Sequence, residues 1–451
     1  MQRGSVLQMA AMAAGMGALT DRAAKAEAQV ARATRGMPSP KIRDIELILT
    51  QPDTVRLTIV KVLTDQDGLY GYGCATFTQR ADLVNIALEK YLKPFLVGKP
   101  ADRIDDTWQA CYNSSYWRNG PVLNNAISGI DHALWDIKGR QAGMPVYELL
   151  GGKCREAAEC YVHTYPAPTY QVAIQNARRS MEQGFRNVLV DPIVPGMGQF
   201  RGSTAGAAAM SGLHEGPVFE SGIFAGTALK WLEECRKQLG EEVGLMCDIH
   251  ERVTPNEAVQ LAKEVERLKM FFMEDLLSPE DIAYFRQIRE QCSTPMAMGE
   301  LFNSPHEWTP LIQERLIDYM RMHVSQMGGV TPARKVAAMG EILGVKTAWH
   351  GPKDTDPIGQ VAHLHLDLAC YNFGIQEFTG FSDRVKEVFK PCPEVKNGYM
   401  YANDAPGWGM EVDEKMAARY PYGGGEEEDD LKRLNGGWSE IRRRDGTIIK
   451  Q

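Results

Sequence analysis

The sequence predicts an α/β protein in which an α+β segment is followed by a (β/α) barrel. Two patterns lead to this prediction. Residues 42–76 alternate apolar and polar side chains around a DQDG turn, as paired strands do, and residues 81–98 and 124–152 carry apolar side chains at helical spacing. Beyond about residue 160, short apolar runs alternate with helical segments, which indicates βα units and a parallel sheet.

Length, composition and charge agree with this fold and restrict the partners. A chain of 451 residues suits a barrel plus a smaller domain, and 44% hydrophobic residues supply a large core. The net charge of −8, without a basic run, argues against a nucleic-acid partner, and the acidic stretch 423–430 is typical of a solvated surface loop. The nine cysteines are scattered, so we expect small core residues in a reducing compartment rather than a disulfide framework.

The first 40 residues are expected to lie outside the fold. An apolar stretch, residues 6–19, follows Arg3 and precedes an AEA sequence at 26–28, which is the layout of an export signal; a disordered or amphipathic extension is the alternative. The stretch resembles a twin-arginine signal, but Gly4 stands beside the single arginine. It is too short to span a membrane, so we expect no membrane partner. The expected location is cytoplasmic, or periplasmic if the leader acts as a signal.

Polar residues recur at the ends of the apolar runs in the barrel region. The intervals between them are 26, 26, 26, 24 and 27 residues, and each interval fits one strand and one helix. In a (β/α) barrel, the carboxyl ends of the strands form the face on which the active site is built. Acidic residues also cap helices, but capping does not predict the same position six times. The six predicted strand ends are Asp248, Glu274, Glu300, Gln326, His350 and Glu377.

Three of these residues predict a metal site. Asp248, Glu274 and Glu300 come from neighbouring strands, so their three carboxylates would converge on one point. A hard divalent cation would offset their charge, and Mg²⁺ prefers oxygen ligands while it keeps room for substrate oxygens. Lys or Arg could neutralise the cluster instead, but none of the six predicted strand ends carries either at the position that faces the centre. His250 lies two residues after Asp248 and would reach the same cavity.

Several longer motifs give the region from about Ile42 to Asp413 a family resemblance. They are SSYWRNGPV (from Ser114), DHALWDIKGRQAGMPVYELLGGKCR (from Asp131), CDIHERVTPNEA (from Cys247), FMEDLLSPE (from Phe272), MGELFN (from Met298), WHGPKDTDPIG (from Trp349) and FGIQEF (from Phe373). With these motifs the chain resembles the enolase superfamily, and within it the mannonate dehydratase-type sugar acid dehydratases.

The resemblance implies a modified (β/α)7β barrel of the TIM type with an α+β N-terminal capping domain. The cap would cover residues 41–158, the barrel residues 159–400, and a C-terminal segment, residues 401–451, would complete the cap. Residues 1–40 would form the leader. A homo-oligomer is also expected.

The resemblance implies a reaction as well. Enzymes of this family remove the proton α to a carboxylate and expel the 3-hydroxyl as water, with Mg²⁺ held by the counterparts of Asp248, Glu274 and Glu300. Mg²⁺ bound to the carboxylate stabilises the enediolate that forms, and a histidine can act as acid or base near neutral pH. The counterpart of His250 assists departure of the hydroxyl. The other implied positions are the sugar-binding and catalytic Arg252, His350, Asp354 and Glu377, and the cap and early-barrel contacts Tyr116, Trp117, Arg118 and His163.

The sequence departs from this family at the residues that act as the base. In the family, an Arg and a Tyr act together. Counting from the VPG turn at 194–196 places Leu189 at the Arg position and Arg201, or Phe200, at the Tyr position. Asp191 lies two residues from Leu189 on the same strand face, so it is the candidate for a substitute.

Two further departures concern the cap and the sixth strand. Thr78 stands where the family pattern has an Asn in the cap. A second base of the wider superfamily, a His backed by an Asp on the preceding strand, is incomplete: His350 is present, but the sixth predicted strand ends in VSQMGG without an acid.

The sequence therefore predicts a hydro-lyase, an Mg²⁺-dependent dehydratase of a mannonate- or gluconate-like acid sugar, with His250, His350 and Asp191 as catalytic residues. Because the Arg and Tyr are missing, we expect poor or absent turnover of D-mannonate. Two alternatives stay open. One is another enolase-superfamily reaction on a hydroxy acid, and the other is a catalytically silent carboxylate-binding protein.

Overall fold

The computed structural model describes residues 38–78, 80–194, 197, 218–352, 355–423 and 442–449. Most of the predicted leader, residues 1–37, lies outside these ranges, as do Asp354, Phe200 and Arg201. No helix within the described ranges is long and apolar enough to cross a membrane.

The N-terminal part of the described chain forms an α+β cap. Its antiparallel sheet has three strands in sequence order, β1 (Ile42–Thr50), β2 (Leu57–Thr64) and β3 (Tyr70–Cys74). The central strand, β2, is buried along most of its length because β1 and β3 pair with it on either side. The helices that follow are α1 (Ala81–Ala87), α2 (Lys93–Leu96), α3 (Ile104–Tyr112), α4 (Pro121–Ala142) and α5 (Val146–Leu149), with a π-helical turn at Leu88–Leu92.

Helix α4 lies directly against the cap sheet because glycines remove the side chains between them. A Cβ atom on Gly73 of β3 would lie 1.9 Å from the carbonyl oxygen of Gly129 in α4, and a Cβ atom on Gly129 would lie 2.4 Å from a methyl carbon of Val60. Larger residues at these two positions would push the helix away from the sheet. The helix begins at Pro121 and ends before Gly143 in the left-handed region, as helix-terminal preferences predict.

Eight parallel strands form the barrel. They are β4 (Ala158–His163), β5 (Asn187–Val190), β6 (Gly244–Asp248), β7 (Phe272–Glu274), β8 (Met296–Met298), β9 (Tyr319–Met320), β10 (Lys346–Thr347) and β11 (Gln376–Glu377). Parallel ladders join each strand from β4 to β10 to the next, and β11 pairs with β4. A parallel bridge between Thr347 and Phe373 joins β10 to the residues that lead into β11, so the barrel is closed.

One helix lies between each pair of consecutive barrel strands. The helices are α6 (Tyr170–Glu182), α7 (Ser221–Leu239), α8 (Pro255–Val265), α9 (Phe285–Gln291), α10 (Pro305–Gln313), α11 (Val330–Leu343) and α12 (Pro357–Ala369). Helices α8 and α10 begin with capping boxes, Thr254 with Glu257 and Ser304 with Glu307, each followed by a proline. The order of elements is (β/α)7β, so the predicted fold, a modified TIM-type barrel with an α+β capping domain, is confirmed.

A layer of apolar side chains fills the barrel interior, with one residue from each strand or from the position directly beside it. None of the eight side chains is more than 9% exposed. The layer consists of Tyr161, Leu189, Met246, Phe272, Ala297, Tyr319, Ala348 and Ile375.

After the barrel the chain returns to the cap. The remaining elements are α13 (Asp383–Val388), β12 (Phe389–Lys390), β13 (Val395–Lys396), β14 (Tyr399–Met400), β15 (Glu411–Val412) and α14 (Glu414–Ala417). Strand β12 pairs with β15, and β14 pairs with the start of β4. The buried Trp408 donates hydrogen bonds from Nε1 to the carbonyls of Tyr72 and His132 and from its main chain to Asp136, so this segment is fixed to the cap.

The cap is joined to the barrel at the start of α11. Asp131, on the buried side of α4, accepts a hydrogen bond of 2.9 Å from the main-chain N–H of Thr331 in the first turn of that helix. The Trp135 indole donates to the Thr331 hydroxyl, and Trp108 donates to the carbonyl of Gly328. Asp131 is 2% exposed, and this burial raises the pKa of its carboxyl to about 7.

The raised pKa of Asp131 predicts a stability that falls as pH rises. Its carboxyl titrates near 3.8 when unfolded and near 7 when folded, so between these values the folded state holds a proton that the unfolded state releases. At about 1.4 kcal/mol per unit, ionisation costs the fold up to about 4 kcal/mol above pH 7. We expect Asp131→Asn, whose amide can still accept from Thr331, to reduce the loss of unfolding free energy between pH 5 and pH 7.5.

Urea denaturation of the two proteins at both pH values measures this difference. Asp82→Asn is the control, because Asp82 pairs with Arg56 at the surface of the cap. The same pH dependence in Asp131→Asn and in the wild type would contradict the assignment.

Candidate active site

A layer of polar side chains lies directly above the apolar layer of the barrel. Because side chains alternate along a strand, the residue two positions after each core residue faces the same interior space. Seven strands have a polar side chain there, and the eighth, β8, has Gly299 followed by Glu300. The seven residues are His163, Asp191, Asp248, Glu274, Arg321, His350 and Glu377.

The predicted strand ends agree with the structure except in one strand. The end predicted at Gln326 is wrong, because β9 ends at Met320 and the buried run beyond it, which includes Met322 and Val324, is not a strand. The other five predicted ends are the last residues of their strands or follow them by at most three positions: Asp248, Glu274, Glu300, His350 and Glu377.

Because the strand end was predicted at Gln326, the sequence did not reveal an arginine that faces the barrel interior. Arg321 is 1% exposed, and its Nη2 lies 2.5 Å from Glu274 Oε1 and 2.9 Å from Glu377 Oε2. Its Nη1 donates a hydrogen bond of 2.6 Å to the Tyr161 hydroxyl. Although burial opposes the charge, Glu274, Tyr161 and Glu377 raise the pKa of Arg321 well above its usual value. The expectation that no Lys or Arg faces the centre is therefore wrong.

Three carboxyl groups meet beside this guanidinium. One oxygen from each of Asp248, Glu274 and Asp275 lies within 4.8 Å of the other two, and all three side chains are buried. Burial raises the pKa of Glu274, whereas the charge of Arg321 lowers it. Burial raises the pKa of Asp275 well above its usual range, and the charges of Glu300 and Asp248 raise it further. Burial thus raises the pKa of both Glu274 and Asp275, and Asp275 Oδ1 also accepts a hydrogen bond from the main-chain N–H of Gly299.

Glu300, the third predicted metal ligand, is directed towards His350. Its Oε2 lies 3.1 Å from His350 Nε2 and 4.0 Å from Arg321 Nη2. Burial favours the neutral carboxyl, but the charge and hydrogen bond of His350 outweigh it and hold the pKa of Glu300 below its usual range. Glu300 is thus ionised, and at 14% side-chain exposure it is more accessible than Glu274 at 1%.

His250 and Arg252 leave the end of β6 beside Asp248. His250 has φ 51°, its main-chain N–H donates to Asp248 Oδ1, and its Nε2 lies 2.9 Å from Asp248 Oδ2. The Arg252 guanidinium lies 5.8 Å from the ring centroid of Phe219. Burial lowers the pKa of Arg252 to about 10, while Asp248 and Asp191 oppose that change, so the side chain stays charged at neutral pH.

His163 lies between two carboxylates from the neighbouring strands. Its Nε2 is 2.6 Å from Glu377 Oε1, and its Nδ1 is 3.3 Å from Asp191 Oδ2. Burial would lower the pKa of His163, but Asp191 and Glu377 raise it to about 10. Asp191, a predicted catalytic residue, thus faces the polar layer. Glu377, predicted to bind substrate, is 1% exposed, and its Oε2 accepts from Arg321 and from the N–H of Gly351.

Leu189 gives the site no charge. Its side chain is fully buried in the apolar layer, and the β4–β5 ladder pairs it with His163. A cation is therefore present on β4 beside the position at which β5 has a leucine.

The cap residues that were predicted to contact substrate lie on an exposed loop between α3 and α4. Tyr116 and Trp117 are 85% and 82% exposed, with their rings edge-to-face, and Arg118 is exposed as well. Asn124, in the first turn of α4, donates to the carbonyl of Asn303. This contact holds the end of the loop near the residues that follow Glu300, but the three exposed side chains are not part of the buried polar layer.

The carboxyl cluster fits a hard divalent cation. Glu274 Oε2 is buried and accepts no hydrogen bond within the described part of the chain. Asp248 and Glu274 offer oxygen donors within 4.8 Å of each other, and carboxylate oxygens are the ligands that Mg²⁺ prefers. A second group of possible ligand atoms, from Asp191, Asp248 and His250, shares Asp248 with the first.

Fold and site together define a capped barrel enzyme whose strand ends present carboxylates beside histidines and arginines. Residues 30–151 match the family of mandelate racemase and muconate lactonizing enzyme N-terminal domains. Residues 173–416 match the enolase C-terminal domain-like family. Together these matches cover most of the chain.

Individual relatives identify the family within this superfamily. The chain is 45% identical over 424 residues to the D-galactonate dehydratase family member RspA of Pantoea ananatis, covering 90% of this chain and 98% of that one. It is 46% identical over 402 residues to a D-galactonate dehydratase family member of Salmonella enteritidis, covering 85% and 94%. A crystal structure of an enolase from Pantoea ananatis with bound D-gluconate and Mg superposes with a TM-score of 0.84 at 44% identity, over 91% of this chain and 100% of that one. This chain belongs to the D-galactonate dehydratase family of the enolase superfamily. The predicted superfamily is confirmed, and the relatives are named for D-galactonate rather than for mannonate.

The observed carboxyl cluster contains Asp275, whereas the predicted ligand set contains Glu300, and substitutions distinguish the two. We expect Glu274→Gln and Glu300→Gln each to weaken Mg²⁺ binding by more than about 100-fold, the upper range for loss of a group that only supports a ligand. Asp275→Asn should retain most of the affinity, because Asp275 Oδ1 already accepts from the N–H of Gly299, whereas Glu274 Oε2 accepts no hydrogen bond within the described part of the chain. Calorimetric titration of metal-free protein with Mg²⁺ measures all three variants.

Glu314→Gln is the control for this titration, since Glu314 pairs with Arg286 at the surface. Unchanged Mg²⁺ affinity in Glu274→Gln would refute the metal site. A loss in Asp275→Asn equal to that in Glu274→Gln, with Glu300→Gln unaffected, would make Asp275 the third ligand.

Proposed function

We propose that this protein is an Mg²⁺-dependent dehydratase of an aldonic acid of the D-gluconate type, with poor or absent turnover of D-mannonate. The observation that carries the proposal is the buried polar layer at the strand ends, which combines a carboxylate cluster with Asp191, His250 and His350. The bound D-gluconate and Mg of the Pantoea structure support the choice of ligand and cofactor.

Asp248, Glu274 and Glu300 would hold the Mg²⁺. When bound, the ion would stabilise the negative charge that develops on the substrate carboxylate as the α-proton leaves. Arg321 lies beside these residues and offsets part of their charge by its contact with Glu274. The predicted cofactor, Mg²⁺, thus agrees with both the donor set and the relative.

Asp191 is the proposed base. Its carboxylate lies beside Asp248 and His250, with an oxygen within 4.8 Å of a ligand atom of each, so it faces the place where the substrate carboxylate would bind. Leu189, buried in the apolar layer, can neither take a proton nor change the pKa of a neighbouring base. Asp191 is therefore the group on β5 that can accept the α-proton.

His250 is the proposed acid for the departing 3-hydroxyl. Its contacts with Asp248 through both the main chain and Nε2 hold the imidazole at the edge of the metal cluster, and 21% of the side chain is exposed towards the cavity. His350, held by Glu300, is the second proposed catalytic group. Arg252 lies nearby with a charge that can bind the acid sugar, and Trp117, Arg118 and Asp354 stay proposed substrate contacts from the cap and the loop after β10.

Substrate preference is the first test. General-base catalysis typically contributes about 10²- to 10⁴-fold in rate, so we expect D-mannonate to be dehydrated more slowly than D-gluconate by about that factor, or not at all. A keto-acid assay on both sugars with added Mg²⁺ measures this. In the same assay, Asp191→Asn should slow D-gluconate turnover by a similar factor while Mg²⁺ affinity is unchanged.

Asp404→Asn is the matched control, because Asp404 is exposed and pairs with Lys153 away from the strand ends. Brisk turnover of D-mannonate that Asp191→Asn leaves unchanged would contradict both the predicted deficit and the proposed base.

Separating proton removal from loss of the hydroxyl gives a second test. His250→Asn should retain the fold, Mg²⁺ binding and exchange of the α-proton with D₂O, because the base is intact. It should lower formation of keto acid by about 10²- to 10⁴-fold. NMR of D-gluconate in D₂O follows the exchange and the product together. Full keto-acid formation by His250→Asn would assign the acid step to another residue.

A further inference from the structure

His163 has the geometry of a cation rather than of a neutral imidazole. Glu377 Oε1 lies 2.6 Å from its Nε2, and Asp191 Oδ2 lies 3.3 Å from its Nδ1. An ionised carboxylate can only accept a hydrogen bond, so each ring nitrogen must donate one. A ring that donates from both nitrogens holds both protons and carries a positive charge.

The side of the ring that faces Glu377 is fixed. Glu377 is 1% exposed, and its other oxygen accepts from Arg321 at 2.9 Å and from the N–H of Gly351 at 2.8 Å. The carboxylate therefore cannot rotate away from His163 without breaking two buried hydrogen bonds. Asp191, with 21% side-chain exposure, is the more exposed of the two partners. The ring consequently acts on Asp191 from a fixed position.

The pairing of β4 with β5 places this cation where β5 lacks one. His163 and Leu189 are direct partners in the ladder, and Asp191 follows Leu189 by two residues. A positive partner for Asp191 is therefore supplied not at position 189 of its own strand but from the adjacent strand, at position 163.

We propose that His163 is the positioning residue for Asp191: it binds Oδ2 of the carboxylate and leaves Oδ1 directed to the α-proton of the substrate. This inference rests on the proposed function and adds to it. The α C–H bond breaks, its proton passes to Asp191 Oδ1, and its electron pair passes into the C1–C2 bond of the substrate. As the C3–O bond breaks, this electron pair forms the C2=C3 double bond, and the 3-hydroxyl leaves as water with a proton from His250. The enol that remains tautomerises to the 2-keto acid, and both protons of His163 stay on the ring.

The other charged groups around Asp191 are compatible with this role. Arg252 and Asp248 face it from the end of β6, with charges of opposite sign, and Glu377 and Arg321 lie on the far side of His163. Asp191 and Glu377 together raise the pKa of His163 to about 10, so the imidazolium persists through neutral pH. Because both N–H groups are engaged, His163 has none left to donate to the sugar, in contrast to the substrate contact that the resemblance implied.

A double-mutant cycle tests the proposal on the full chain with Mg²⁺ and D-gluconate. We expect His163→Gln to slow α-proton exchange by about 10²-fold, the cost of a misplaced reacting group. Asp191→Asn should slow it by about 10²- to 10⁴-fold. In the double variant, the change at His163 should add no more than about twofold, since it acts only through Asp191. Calorimetry should give unchanged D-gluconate and Mg²⁺ affinities in all three.

His306→Gln, an equivalent change on the exposed surface of α10, is the control for this cycle and should leave exchange unchanged. Additive losses in the double variant would overturn the proposal. So would a weakened D-gluconate affinity with normal exchange in His163→Gln, which would make His163 a substrate contact. Weakened Mg²⁺ affinity in Asp191→Asn would make Asp191 a metal ligand and would overturn it as well.

A second measurement does not depend on turnover or on the folding of a His163 variant. In ¹⁵N-histidine-labelled protein without substrate, we expect one buried ring to stay doubly protonated at pH 8. Asp191→Asn should lower the pKa of that ring by about one unit or more, because it removes a negative partner. A ring that Asp191→Asn leaves unchanged would overturn the pairing. An intact pairing in a wild type that exchanges no α-proton of any aldonic acid would instead overturn the proposed function, and with it the role of Asp191 as base.

Discussion

The charge balance inside the barrel depends on one buried guanidinium. Arg321 contacts Glu274 and Glu377, the ends of β7 and β11, while its Nη1 binds Tyr161 in the apolar layer below. A buried carboxylate without a partner costs several kcal/mol even after the protein relaxes. Replacing Arg321 would leave two such carboxylates in a closed barrel. The arginine therefore allows the strands to end in acids, and the divalent cation has to offset only the charge that remains.

The same contacts divide the polar layer into two halves. On one side, the ends of β6, β7 and β8 supply Asp248, Glu274 and Glu300, the three proposed metal ligands. On the other, β4, β5 and β11 supply the series Asp191, His163 and Glu377, in which charges alternate in sign. Arg321 connects the halves because one nitrogen contacts a carboxylate of each. The metal half and the proton-transfer half thus both contact Arg321. A substitution in one half does not remove the side chains of the other.

The sequence predicted the barrel, the cap and most strand ends because strands and helices recur at regular intervals along the chain, and these intervals follow the topology. It failed at β9, where the buried residues 322–324 prolong the apolar run beyond a strand of two residues. A signal was present: Tyr319 occupies the apolar layer, so Arg321, two residues later, had to face the polar layer. The pairing of His163 with Asp191 and the turn of Glu300 towards His350 depend on distances between strands, which spacing along the chain does not contain. The domain limits, the homo-oligomer, the location and the leader stay predictions.

Family membership therefore constrains the two halves of this site to different degrees. The relatives are 45% and 46% identical across most of their length, and the carboxylate cluster with its arginine is the half that the predicted metal chemistry requires. On β5, Leu189 fills the apolar layer, and Asp191 faces the polar layer above it. A change there can alter which face of a sugar loses its proton while metal binding continues. In the proposed mechanism, the geometry of Asp191 and His163 would then decide which acid sugars react.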